Sequence, residues 1–430
     1  MSQKHPNYLL PIIVMFFLFA MISFVTGFQN PFGTILKEQL ALSNWQSQLG
    51  NAANFIAYAF MGLPAGIILQ RKGYKFTAIS AVLVGLAGVC LMLASSALTA
   101  PGEIFAVYLT GAFVAGFSMC MLNTVVNPML NTLGGGGNRS NQLLQFGGSC
   151  NSLAATICPV LVGYLIGNDM QGATLQSAQP ALLIAGGIFV FALLVLAISK
   201  LPEPGLERAR QLAAEGKTEE QPSISKALKY RHYVLGVIAI FVYVGVEVGI
   251  PTYANYFMVN ELHVAPAVAG SLVGAYWLLM LVGRLLGGVV AAKVSSKAML
   301  TAVSVVALCL LICSMVLDPA QKMQIVGVTS TLEFDMVDMP VNVLCMVLCG
   351  LCTSVMWGGI FNLAVAGLDQ RLTSVAAGFF MVMVCGGGIL PLIQGAVADA
   401  QGYLVSFIVP LLGVLYLLFY ALVGSKRQYN

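Results

Sequence analysis

Twelve apolar stretches, each long enough to cross a bilayer, follow one another through this 430-residue chain. The first runs from Leu9 to Phe28 without one charge, enough for about 30 Å of helix at about 1.5 Å per residue. It is too long for a signal-peptide core and lacks a small-residue cleavage site, so it is expected to be retained. The first six spans are placed at 9–30, 48–69, 76–96, 104–130, 142–166 and 180–199. The second six are placed at 234–258, 265–292, 298–317, 341–367, 374–397 and 404–423. Only 8% of residues are charged, against about 25% in an ordinary soluble domain, too few to cover a water-facing core. Lipid is the solvent that tolerates such a surface, so the fold class expected is an all-α membrane protein.

One long polar stretch, 200–231, separates the spans into two groups of six. The domains are therefore expected to be 1–199, a six-helix bundle; 200–231, a cytoplasmic linker; and 232–430, a second six-helix bundle. The basic residues orient the chain. With a cytoplasmic N-terminus, the inner segments hold Lys4, Arg71, Lys72, Lys75, Arg139, Lys200, Arg208, Arg210, Lys217, Lys226, Lys229, Arg231, Lys293, Lys297, Arg371, Lys426 and Arg427. Lys37 and Lys322 fall outside, and Arg284 falls within a span. This asymmetry is the positive-inside pattern, which puts both termini in the cytoplasm of a multi-pass plasma (inner) membrane protein.

The halves echo each other. Gly62-Leu-Pro-Ala-Gly66 leads to Arg71-Lys72-Gly73-Tyr74-Lys75 after the second span, and Gly283-Arg284 leads to Lys293 and Lys297 after the eighth. Glycines let helices approach closely, and cations meet helix C-termini or carboxylates. Gly66, Arg71, Gly73 and Arg284 are candidate gating residues; ordinary helix packing with positive-inside charge is the other reading. Six plus six helices, a linker and paired basic turns are the layout of the major facilitator architecture.

Amides are unfavourable against lipid, so those repeating on one helix face are expected to look inward. Asn123, Asn127 and Asn131 lie four apart on the fourth span; Asn51, Asn54 and Tyr58 share a face of the second; Gln142, Gln145, Ser149 and Ser152 share one of the fifth. Gln29 and Asn30 end the first span. Tyr243 and Glu247 are one turn apart on the seventh, and Trp277, Trp357, Asn362 and Gln394 add polar or aromatic tips. The candidate substrate-binding set is Gln29, Asn30, Asn51, Asn54, Asn123, Asn127, Gln145, Tyr243, Glu247, Trp277, Trp357 and Asn362. Amides and a carboxylate suit the hydroxyls of a sugar, and aromatic rings suit its C–H face. The alternative is that the amides bind neighbouring helices and the tryptophans pack. Glu247 is the carboxylate deep in a span, where a charge costs about 2.5–3.5 kcal/mol on insertion scales. Three uses remain open for it: carrying a proton, binding a sugar hydroxyl, or pairing with a cation such as Arg284.

At these residues the sequence resembles the fucose/glucose–galactose:proton symporter family of the major facilitator superfamily, over nearly its whole length. The segments that carry the resemblance are Leu63-Pro-Ala-Gly-Ile-Ile-Leu, Asn127-Pro128, Tyr243-Val-Gly-Val-Glu247, Gly283-Arg284, Phe380 to Pro391 and Ala398-Asp399-Ala-Gln-Gly402. The resemblance implies uptake of a fucose- or hexose-like monosaccharide by alternating access, with no cofactor and the proton gradient as energy source. Fucose-type members carry a carboxylate near the outer end of the first helix and another on the fourth before the Asn-Pro pair. The matching positions here are Asn30 and Asn123. Glu247 is left as the candidate proton-coupling residue. An anionic-sugar carrier with Lys37 as a counter-charge, a facilitator and a drug-type efflux carrier are the alternatives.

Other classes fit poorly. The histidines, His5, His232 and His263, lie near loops or helix ends, so neither a catalytic set nor a metal site is expected. The Gly134–Gly137 run follows no strand and precedes no Gly-Lys-Ser/Thr, so it reads as a turn and not a phosphate loop. The ten cysteines sit in apolar stretches as small packing residues; Cys349 and Cys352 form a CxxC without a second ligand pair. Pro391 after Gly386–Gly388 is expected to bend the eleventh span. The partners expected are a sugar, protons and lipid; nothing points to nucleic acid, and one chain supplies a complete two-bundle unit, a monomer.

Overall fold

The computed structural model describes residues 8–27, 32, 35–36, 39–42, 46, 49–166, 174–204, 206–207, 224–264, 266–328 and 334–427. Gln29, Asn30, Lys37, Glu38 and most of the polar stretch between the halves lie outside the described residues.

The long elements are α1 (Leu9–Gly27), α2 (Leu49–Ser95), α3 (Pro101–Leu133), α4 (Gly137–Ile166), α5 (Gln179–Ile198), α6 (Arg231–Tyr256) and α7 (Pro266–Ala291). They continue with α8 (Ser296–Val316), the strands β1 (Lys322–Val328) and β2 (Phe334–Pro340), then α9 (Val341–Thr353), α10 (Met356–Ala364), α11 (Gln370–Val382), α12 (Gly386–Gln401) and α13 (Ile408–Phe419). Among the described residues nine helices are long and apolar enough to cross a membrane. One of these, α2, has 47 residues, about 70 Å if straight, more than twice the hydrocarbon thickness. It is two crossings joined at Gly73, whose φ of 87° and ψ of 178° break the helix. With α1 and the 30-residue α4, the crossings number twelve.

The surface fits a lipid solvent. Ile198 is 83% exposed and Leu392 75%, a placement water would disfavour and acyl chains do not. Inside, many polar side chains find partners on their own or neighbouring helices, as in the bond from Ser23 to Asn151 Oδ1 at 2.6 Å.

The chain forms two compact units. The first comprises Met1–Gly135, Cys150–Ala227 and Gly367–Val382; the second comprises Gly136–Ser149, Leu228–Ala366 and Met383–Asn430. Two spans are therefore shared. The fifth divides inside α4, after Ser149. The eleventh divides at a 3₁₀ turn, Met383–Cys385, between α11 and α12. The interruption in the eleventh span thus precedes Pro391, which sits inside α12.

In the first unit α2 packs on α11 through glycines. A methyl group on Gly66 would stand 3.0 Å from Gly378 Cα and 3.2 Å from the Ser374 carbonyl oxygen. Lipid offers no hydrophobic drive between helices, so this close backbone contact is itself the attraction. The turn at Gly73 is capped by a residue from the polar stretch. Glu203 accepts the backbone N–H of Tyr74 (2.8 Å) and of Lys75 (2.7 Å), and Lys75 Nζ reaches the carbonyls of Ala197 and Ser199. A carboxylate suits that place because the third crossing begins there and its first N–H groups have no helical acceptor. Arg71, beside it, is exposed.

The hairpin β1–β2 between the ninth and tenth spans has no counterpart in the sequence reading. Its strands pair antiparallel from Lys322 opposite Pro340 to Val328 opposite Phe334.

Gly73 occupies a backbone region that nearly every L-residue avoids, and a Cβ there would collide with the Glu203 carboxylate. Gly73→Ala should therefore destabilise the protein by about 1–3 kcal/mol, read as a lower unfolding temperature in detergent. Gly102→Ala, where added bulk meets nothing within 4 Å, should leave that temperature nearly unchanged.

Candidate functional site

The second unit holds a charged pair within its spans. Tyr243 and Glu247 are four residues apart on α6 and so share a face. Tyr243 donates its hydroxyl proton to Glu247 Oε1 at 2.7 Å. Arg284 on α7 brings Nη2 to the same oxygen at 3.3 Å. Its fork extends further: Nη1 donates to the Gly148 carbonyl of α4 at 2.9 Å, and Nε to the Ser354 carbonyl at 3.3 Å. The guanidinium keeps its charge at any physiological pH, so the carboxylate is the member of the pair able to change charge. Of the three uses open to Glu247, pairing with Arg284 is the one present here. Oε2 makes no hydrogen bond among the described residues.

Tyr276, two helical turns before Arg284, completes the cluster. Its hydroxyl donates to the Glu247 backbone carbonyl at 3.3 Å and lies 2.9 Å from Thr353 Oγ1. The rings stack edge-on: Trp357 against Tyr243 with centroids 6.2 Å apart, and Trp277 against Tyr276 at 5.3 Å. Tyr243 and Tyr276 are buried, Trp357 is half-buried and Trp277 is exposed. The two side chains of the ion pair are 11% and 15% exposed for Arg284 and Glu247.

The first unit holds an amide ladder. Asn123 Nδ2 donates to Tyr58 Oη at 2.8 Å, and Asn127 Nδ2 donates to the Asn123 carbonyl at 2.8 Å and approaches its Oδ1 at 3.3 Å. Asn127 is fully enclosed, whereas Asn123 keeps 7% exposure. Asn54 is buried with neither amide atom bonded among the described residues, and Asn51 is half-buried. Two other candidates of the second unit bond groups other than Glu247 and Arg284. Gln145 donates to the Val355 carbonyl at 2.9 Å. Asn362 donates to Ser296 Oγ at 2.8 Å and the Gly137 carbonyl at 3.1 Å. The sequence-named set thus divides into an ion-pair cluster, an amide ladder and separate helix-bridging amides. Gly66 and Gly73 lie at the first unit's helix crossing and turn. Sequence reasoning missed Tyr276, although its spacing of eight from Arg284 places both on one face. It also missed Gly148 and Ser354, which act through backbone oxygens and carry no side-chain signal. Among the described residues no group of His, Cys, Asp and Glu could hold a metal.

Paired ionisable groups inside twelve apolar crossings belong to a carrier's inventory, and comparison with known proteins decides which. The major facilitator superfamily model matches residues 15–392. This chain belongs to the major facilitator superfamily. Within the superfamily it is 30% identical, over 439 residues, to the glucose/galactose transporter of Brucella abortus, covering 99% of this chain and 96% of that one. It is 23% identical to the L-fucose-proton symporter of Escherichia coli, covering 91% and 88% of the two chains. The crystal structure of the E. coli fucose:proton symporter superposes with a TM-score of 0.78 at 20% identity, covering 98% of this chain and all of that one. These comparisons place the chain in the fucose/glucose–galactose branch of the superfamily, as a transporter and not an enzyme.

Asn127 acts as a tie between turns of its helix in this geometry. Asn127→Ala should lower stability by about 1–3 kcal/mol through the buried groups it leaves unpaired, while transport per folded molecule stays near wild type. A raised half-saturation constant at unchanged unfolding temperature would instead make Asn127 a substrate ligand.

Proposed function

We propose that this superfamily member takes up a neutral, hexose-like monosaccharide together with a proton, by alternating access across the inner membrane. Both termini lie in the cytoplasm, 1–199 and 232–430 act as the two bundles, and 200–231 links them. The observation that carries this reading is the Tyr243–Glu247–Arg284 cluster. It places a carboxylate whose charge can change against a cation whose charge cannot, beside aromatic rings suited to a sugar's C–H face. The names of the relatives support the substrate class and the proton.

Glu247 is the proton carrier in this proposal. The resemblance places the acids of fucose-type members at Asn30 and Asn123, which are amides and hold no proton to exchange. Asn123 and Tyr58 are then the polar contacts of the first unit that a sugar meets, since Asn123 retains exposure and Asn127 does not. A neutral sugar is favoured over an anionic one because Arg284 is already neutralised by Glu247. Gly66, Arg71, Gly73 and Arg284 serve the conformational change and not the sugar. The carrier works as a monomer without a cofactor, its driving force the proton gradient.

In proteoliposomes Glu247→Gln should abolish accumulation of sugar against its gradient while leaving exchange of labelled for unlabelled sugar. Accumulation at the wild-type level would remove Glu247 from coupling. A panel of glucose, galactose, fucose and a uronic acid tests the substrate. Uptake of the acid alone would overturn the neutral-sugar reading, and uptake of none would overturn sugar transport.

A further inference from the structure

A buried amide without a partner is rare inside a membrane span, where no solvent can take the partner's place. Gln394 and Asn342 each have one enclosed amide nitrogen without a hydrogen bond. Asn54, alone among the described side-chain amides, has both ends enclosed and unbonded, Nδ2 and Oδ1. The residue is 4% exposed. What packs there explains it. A Cβ on Gly116 of α3 would stand 2.6 Å from Ala57 Cβ, 3.0 Å from Asn54 Cα and 3.2 Å from its backbone oxygen. Here α2 and α3 meet through residues that carry no side-chain donor or acceptor, and helical backbone groups are already bonded to each other. An amide left unmade at both ends lowers stability, so its presence calls for a use outside the helix packing.

The neighbours on the same face have capacity to spare. Tyr58, one turn on, accepts the bond from Asn123 and donates its own proton to nothing among the described residues. Asn123 keeps 7% exposure, and Asn51, one turn back from Asn54, is half-buried. The enclosed amide therefore lies between two that are not fully closed off.

We propose that Asn54 is a specificity-determining contact for the sugar, bonding a pair of adjacent hydroxyls through its two free ends. One hydroxyl donates to Oδ1 while its neighbour accepts from Nδ2, a pattern that a vicinal diol fills completely. A carboxylate fills the N–H side alone and leaves Oδ1 unmet. An apolar surface fills neither. The contact therefore selects a neutral polyol over anionic and lipophilic solutes, and Tyr58 offers a further hydroxyl proton one turn away. The sugar supplies the partners that α3 withholds. This inference rests on the sugar reading above and is independent of the proton.

The test compares Asn54→Leu and Asn54→Ala with wild type and with Ser118→Ala, which removes a buried α3 hydroxyl that likewise lacks a partner. The full-length proteins are unfolded by heat in detergent and assayed in proteoliposomes for uptake of glucose, galactose and fucose. Since an unbonded amide is removed, at least one Asn54 variant should unfold no earlier than wild type without sugar. Both should raise the half-saturation constant about tenfold and lose most of the sugar-induced rise in unfolding temperature. Monodeoxy derivatives of the best of the three sugars read the contact directly. Wild type should take up one of them about tenfold less well than the parent, and Asn54→Leu should level that difference. Ser118→Ala should keep every sugar readout at the wild-type level. Earlier unfolding of both Asn54 variants makes the amide a structural group, bonded through an internal water, and overturns the proposal. So does an unchanged half-saturation constant, a deoxy-sugar preference that survives in Asn54→Leu, or the same losses in Ser118→Ala. Wild type that takes up none of the three sugars sinks the sugar reading and the contact with it. Wild-type uptake to which Asn54 is indifferent sinks the contact alone.

Discussion

Hydrocarbon gives a polar group nothing to bond with, so every donor and acceptor in a membrane span must be satisfied by the protein itself. In water, Glu247 and Arg284 would contribute little by pairing, because each would be well solvated alone. Within a span each needs the other, since either one unpaired is a charge without a solvent. The surrounding groups follow from that need. Tyr243 supplies the carboxylate with a proton donor, and the Gly148 and Ser354 carbonyls supply acceptors for the rest of the fork. A demand for satisfaction therefore gathers four chain segments around one ion pair.

The same solvent dictates how the helices meet. Side chains gain nothing by leaving lipid for one another, so the attraction comes from dispersion at close range. That is why Gly66 and Gly378 lie backbone to backbone where α2 crosses α11, and why Gly350 sits against the Tyr276 carbonyl in the second unit. Each unit is made rigid by such crossings. The breaks fall elsewhere, at Gly73 and at the 3₁₀ turn 383–385. Rigid bundles with interruptions at defined points are what a carrier needs in order to move as bodies and not by melting.

Twelve crossings were legible because apolar runs of that length have few other solutions, and the reversal at Gly73 because a basic turn there interrupts a run too long to continue. The β1–β2 hairpin was not legible. Its strands are seven residues each, carry charges and lie in a segment that hydropathy marks merely as outside the bilayer. At the site, Asn123 and Asn127 show why residue type underdetermines role. Spacing of four puts two amides on one face, which suits a cavity wall and equally suits a ladder in which one amide bonds the other's carbonyl. Burial separates the cases, and burial is a property of the neighbours. The Tyr243–Glu247 bond could be read from spacing, whereas Arg284 could be assigned to Glu247 merely as one option. Its attachment to Gly148 could not be read at all, since a backbone oxygen has no letter in the sequence.

In the symport proposed above the coupling site is an ion pair, which changes the electrostatics relative to a pair of acids. Two carboxylates bring negative charge that protonation removes, so loading neutralises the site. Here the empty pair is already neutral, and a proton on Glu247 leaves the net charge of Arg284 behind. Under that proposal, sugar binding favours protonation and protonation favours sugar binding by the same factor, as linkage requires.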